Sequence, residues 1–211
     1  MAVRKVVTRS GRRVRGYFPS RKMGRMVAWE SQLERDAIYL FEFSTGVLTY
    51  REQPERVHFP MGEEVRLYIP DFELVLEPDE LCHVEVKPAS KLVKPDVAQR
   101  FQAIAQHYDR IGRRFQILTE SNIRQDRLLS NLKLLAYHSG RLDAAALQGF
   151  VDNLLIKPAR TFKDVAAVLG CDANAYRLLA SCKYHCDLSR AIGPDTVITP
   201  AQESSHATVL F

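Results

Sequence analysis

The sequence predicts an α/β protein: a mixed sheet flanked by helices, with a small helical or winged-helix-like region following it. Three observations carry that expectation. Apolar residues recur at helical spacing in 29–43 and again in 95–111. Short apolar runs of strand length occupy 47–59, 68–88 and 115–118. From about residue 128 the character turns to short amphipathic helices. The 211 residues are 46% hydrophobic and 26% charged, which is ordinary for a soluble globular protein. That length suffices for one core of roughly 130–150 residues plus an appendage. The expected organisation is a basic N-terminal arm (1–28), a core domain (29–127), a helical or winged-helix-like region (128–200) and a flexible tail (201–211).

In chain order, WESQLERDAIYLFEF (29–43) places Leu33, Ala37, Leu40 and Phe41 on one helical face, with Ser31 positioned to cap. Residues 47–59 read as strand, interrupted at Gln53-Pro54, and Met61-Gly62 marks a turn. YIPDFELVLEPDELCHVEVKP (68–88) reads as a β-hairpin. PDVAQRFQAIAQHYDRI (95–111) opens with proline at a helix start, repeats Val97, Phe101, Ile104, Ala105 and Tyr108, and ends at Gly112. FQIL (115–118) is a short strand. The segments LLSNLKLLAYH, LDAAALQGFVDNLL, TFKDVAAVLG and ANAYRLLASCKYH predict helices, and 196–199 is β-like. There is no internal repeat or low-complexity block.

Charge and cysteine content exclude several classes. No apolar run approaches the ~18 residues of a membrane-spanning helix, and the N-terminus lacks a signal-type stretch. Cys82, Cys171, Cys182 and Cys186 form no CxxC pair, so plain thiols in a reducing compartment are the simplest reading. Cys182, His185 and Cys186 have donor chemistry for zinc but no second pair at finger spacing. The net charge is +5, yet residues 1–25 hold nine cations (Arg4, Lys5, Arg9, Arg12, Arg13, Arg15, Arg21, Lys22, Arg25) and no acid. The remainder therefore sums to −4. Such a segment suits a nucleic-acid backbone; a solvated tail is the alternative.

The hairpin holds the candidate chemistry. Alternation puts Phe72, Leu74 and Leu76 on one side and Asp71, Glu73 and Val75 on the other; the second arm divides into Cys82, Val84, Val86 and His83, Glu85, Lys87. Merging the apolar sides about a turn near Pro78 makes paired residue numbers sum to 156. Asp71 then opposes Glu85, with Lys87 one pleat further. Two carboxylates ~5 Å apart repel by about 3 kcal/mol at an effective dielectric near 20. A divalent cation such as Mg²⁺, bound through one or two carboxylates, offsets that repulsion, and Lys87 beside it makes a metal-dependent phosphodiesterase centre. Glu34 lies beside the apolar stripe of the first helix and supplies a third acid; it also fits a capping box with Ser31. Pro-Asp and Glu-x-Lys occur by chance in many chains.

Taken together, S-x-L-E-R-D at 31–36, R-E-Q-P at 51–54, Y-I-P-D-F at 68–72 and V-E-V-K-P at 84–88 resemble the TnsA family of transposon-end endonucleases. These belong to the restriction-endonuclease-like, PD-(D/E)xK superfamily. The resemblance is close over 29–88 and thins beyond 125. It implies a restriction-endonuclease-like core in which Glu34, Asp71 and Glu85 surround Mg²⁺ or Mn²⁺, the Val86 carbonyl is a further ligand, and Lys87 is the catalytic lysine. It also implies nicking of the 5′ transposon ends in DNA, a DDE-type transposase partner, an AAA+ ATPase regulator, and a cytoplasmic, prokaryotic setting at the nucleoid. The alternatives are a stand-alone restriction or repair nuclease of the same fold, and a non-catalytic DNA-binding assembly protein.

Overall fold

The structure, a computed structural model, describes residues 14–139 and 160–201. The predicted helix in 142–155, the tail beyond 201 and the first thirteen residues lie outside the described residues. The described chain forms two compact units, one of 14–42 with Gly46–Arg124 and one of Phe43–Thr45 with 125 onward.

The first unit opens with an antiparallel hairpin, β1 (Gly16–Ser20) and β2 (Arg25–Trp29). Gly16 faces Trp29 across it, and a Cβ at Gly16 would lie 2.5 Å from the indole, so only glycine fits. This corrects the expected arm: from residue 16 the basic segment is folded, because carboxylates inside the unit recruit it. Glu42 accepts from Ser20 Oγ (2.7 Å), Tyr50 OH (2.6 Å) and the amides of Arg21 (2.8 Å) and Lys22 (3.0 Å). Arg25 grips Glu52 with two bonds of 2.8 and 2.6 Å. Trp29 pairs in β2, and the first helix, α1 (Gln32–Phe43), begins directly after Ser31, the residue positioned to cap it.

The central sheet has four strands in the order β3 (Val47–Glu52), β6 (Phe72–Leu76), β7 (Glu80–Val86), β8 (Arg114–Leu118). The first two pairings are antiparallel and β7–β8 is parallel, joined by a crossover through α2 (Ala89–Leu92) and α3 (Pro95–Arg110). Parallel neighbours require such a crossover, which makes the sheet mixed and puts helices against it. A short helix, α4 (Glu120–Ile123), closes the unit.

Both faces of the sheet are covered. On one, Ala37, Ile38, Leu40 and Phe41 of α1 are fully buried, and Phe41 meets Phe72 (5.3 Å between ring centroids) and Tyr50 (5.8 Å). Ile38, Leu40 and Phe41 each contribute about 1.5–3 kcal/mol of apolar burial. On the other lies a second core, which the sequence reading did not anticipate, made of Val57, Phe59, Tyr68, Phe101, Ile104 and Tyr108. It joins α3 to a further hairpin, β4 (Val57–Met61) with β5 (Glu64–Tyr68), turning at Gly62 with φ +65°. The face carrying Glu73, His83 and Glu85 is therefore interior, and each of these residues is buried. His83 bridges Tyr108 OH (2.6 Å) and Glu73 (3.1 Å), satisfying the polar groups closed in there.

The second unit runs α5 (Asp126–His138), β9 (Arg160–Thr161), α6 (Phe162–Leu169), α7 (Asp172–Ala180), β10 (Tyr184–His185), β11 (Val197–Pro200). The last predicted helix stops at Ala180, and Tyr184-His185 pairs with Pro200-Thr199 instead. The sheet order is β10-β11-β9, so a helix pair precedes two long-connected strands in a winged-helix-like succession. Thr161 and Asp164 form the capping box of α6, and Gly170 ends it at φ +84°. Asn131, buried on α5, donates to Leu188 O (2.9 Å) and Arg190 O (2.6 Å), tying the β10–β11 connection to the helix.

Candidate active site

The register of β6 and β7 builds the site. Phe72 pairs with Val84, Glu73 with His83, and Leu76 with Glu80, each pair summing to 156 as the turn at Pro78 predicts. Asp71, one residue before β6, thereby arrives beside the end of β7, where its Oδ2 accepts from Val86 N at 2.8 Å. Its own carbonyl accepts from Gln53 N at 2.9 Å, fixing the entry to the strand from the β3 side. Lys87 N in turn donates to Leu118 O at 3.0 Å, so β8 holds the chain at the lysine.

Glu85 is buried, with a separate partner on each oxygen. Tyr68 OH donates to Oε2 at 2.8 Å, and Lys87 Nζ pairs with Oε1. The Lys87 ammonium also sits 5.4 Å from the centroid of the Phe101 ring, a cation–π contact from α3. Glu34 lies in the first turn of α1. Ser31 Oγ accepts from Glu34 N (3.1 Å) as the capping pattern requires, but the carboxylate takes the Glu30 amide (2.7 Å) rather than that of Ser31.

The electrostatics tie the acids together. Burial pushes the Asp71 carboxyl well above the usual carboxylate range, and the charges of Glu85 and Glu34 push it further. Burial likewise raises Glu34, with the charges of Glu30 and Glu85 adding to it. Three acids thus feel one another in a poorly solvated place. The groups named from the sequence lie near one another, and their side chains are turned to local partners. Among the described residues no three His, Cys, Asp or Glu side chains are gathered to hold a metal. The donor set still suits a hard divalent ion, because Mg²⁺ binds through one or two carboxylates and keeps several waters. Asp71 and Glu85 are the residues that could supply that pair.

Of the predicted DNA-contacting cations, Arg4, Lys5, Arg9, Arg12 and Arg13 lie outside the described residues. Arg15 precedes β1, while Arg21 and Lys22 stand in the β1–β2 turn and Arg25 begins β2. Lys22 Nζ is taken by the carbonyls of Phe41 (2.8 Å) and Val47 (2.6 Å), and Arg25 by Glu52, so these two serve the fold. Sequence reasoning gave Tyr68 no role at the site. Its signal was the tyrosine of Y-I-P-D-F, three residues before Asp71.

A mixed four-stranded sheet between helices, with acids and a lysine at the ends of its central strands, has the restriction-endonuclease-like arrangement. Residues 44–120 match the family model described as TnsA-like endonuclease N terminal, so that stretch of chain is similar to the N-terminal domain of TnsA-like endonucleases. The match includes Tyr68, Asp71, Glu85, Val86 and Lys87; Glu34 precedes it. No curated protein matches the chain. No helix among the described residues is long and apolar enough to cross a membrane.

Proposed function

We propose that this chain is the metal-dependent endonuclease subunit of a heteromeric cut-and-paste transposase, nicking DNA at the 5′ ends of the transposon during excision. The observation that carries the reading is the Asp71–Glu85–Lys87 convergence set by the β6–β7 register. Asp71 and Glu85 would hold Mg²⁺ or Mn²⁺, with the Val86 carbonyl and a turned Glu34 as further donors. Such an ion would supply Lewis-acid activation of a water and charge neutralisation at the phosphate. Lys87, paired with Glu85 at rest, is released to the scissile phosphate and stabilises the charge that develops there. The basic N-terminal segment supplies affinity for the backbone without sequence choice. Choice of the ends falls to a DDE-type transposase, with an AAA+ ATPase regulating assembly.

The test is a reconstituted reaction with both partners on a plasmid carrying the transposon ends. Asp71→Ala and Lys87→Ala should each abolish 5′ nicks while 3′ cutting and complex assembly persist. Undiminished double-strand excision by either variant would refute the assignment. Specific cutting by the chain alone would make it a stand-alone nuclease instead.

A further inference from the structure

The two partners of Glu85 differ in kind. Lys87 stands on a flexible stem and is partly exposed. Tyr68 is 4% exposed, and its ring stands nearly perpendicular to three others: Phe115 (6.1 Å between centroids), Phe101 (6.4 Å) and Phe59 (6.5 Å). Its backbone is equally fixed, as the last residue of β5 paired with Val57. A phenol clamped in this way cannot follow a carboxylate that turns away. The carboxylate must come to it.

We infer that Tyr68 is a positioning residue whose hydroxyl sets the orientation of Glu85, leaving Oε1 as the oxygen exchanged between Lys87 and the cation. The inference rests on the reading of Asp71 and Glu85 as cation ligands. The phenol suits the role because it donates one hydrogen bond and brings no charge to compete with the ion. Removing such a support behind a metal-ligating carboxylate weakens metal binding by about 10–100-fold.

The experiment is titration of Mn²⁺ into the full chain, followed by calorimetry and by the electron paramagnetic resonance of free Mn²⁺. Tyr68→Phe deletes one oxygen and keeps the ring, so it should fold and bind Mn²⁺ about 10–100-fold more weakly. In the nicking reaction its kcat at saturating Mn²⁺ should approach the wild-type value, the defect lying in the metal concentration needed. Phe59→Leu is the control for packing: it should lower Tm and leave Mn²⁺ affinity unchanged. Three results overturn the inference, and they are distinguishable. Wild-type Mn²⁺ affinity in Asp71→Ala removes the cation reading and the Tyr68 role with it. Loss in Asp71→Ala with full affinity in Tyr68→Phe leaves the cation site standing and removes Tyr68 alone. Equal weakening in Tyr68→Phe and Phe59→Leu reduces Tyr68 to a packing ring.

Discussion

Asp71 has one backbone amide and the charge of Lys87 in its favour, against burial and the charges of Glu85 and Glu34. Its folded-state pKa is raised, so its contribution to stability is full below the unfolded value near 3.8 and is lost as pH rises through the folded one. At neutral pH this group therefore destabilises the metal-free protein. Asp71→Asn keeps an acceptor for the Val86 amide and removes the charge. It should raise Tm of the metal-free protein at pH 7 by roughly 2–4 °C per kcal/mol recovered, an effect that shrinks as pH falls toward 4. Mg²⁺ should stabilise the wild type and not the variant. Thermal melts across pH, with and without Mg²⁺, check both; a lower Tm for the metal-free variant at pH 7 contradicts the argument. At this scale the placement of Asp71 was legible in the sequence, because side-chain alternation and one turn determine a register. The Tyr68 bond to Glu85 was not, since it joins two elements whose approach depends on the second core.

Elements were readable where their signal is local. α1, α3 and the β6–β7 pair follow from apolar period, a proline start and a turn. β5 gave no such signal because four of its five residues are exposed, and only Tyr68 faces inward. The β1–β2 hairpin was hidden beneath its charge: residues selected as a phosphate-binding arm include a turn that caps a buried carboxylate. Glu42 meets four donors, two on each oxygen. Glu42→Gln would turn an amide NH₂ toward two of them, leaving buried donors unsatisfied at a cost of about 1–3 kcal/mol. We expect a fall in Tm on the order of 5 °C. Tyr50→Phe, which deletes a single donor, should cost less. The order of the two variants in calorimetric unfolding is the check; a Tyr50→Phe loss exceeding that of Glu42→Gln would show that Glu42 does not hold the hairpin.

At the scale of the whole molecule, nine cations within residues 1–25 face a remainder of net charge −4, which makes that segment the first candidate for attraction to DNA backbone. The fold divides these nine. Lys22 and Arg25 are committed to carbonyls and to Glu52, and any phosphate they contacted would compete with those partners. Arg4, Lys5, Arg9, Arg12 and Arg13 precede the hairpin. Deleting residues 1–13 should therefore leave the folded unit intact and remove a sequence-independent part of the affinity. Each phosphate neutralised steepens the plot of log K against log salt by ~0.9 on duplex DNA, so five lost contacts flatten it by at most about 4.5 units. Fluorescence anisotropy with an arbitrary duplex over a range of NaCl concentrations measures that slope directly. A flattening of several units, with Tm unchanged, assigns the backbone grip to residues 1–13. An unchanged slope would make the segment a solvated tail and place any grip on the DNA backbone elsewhere in the chain.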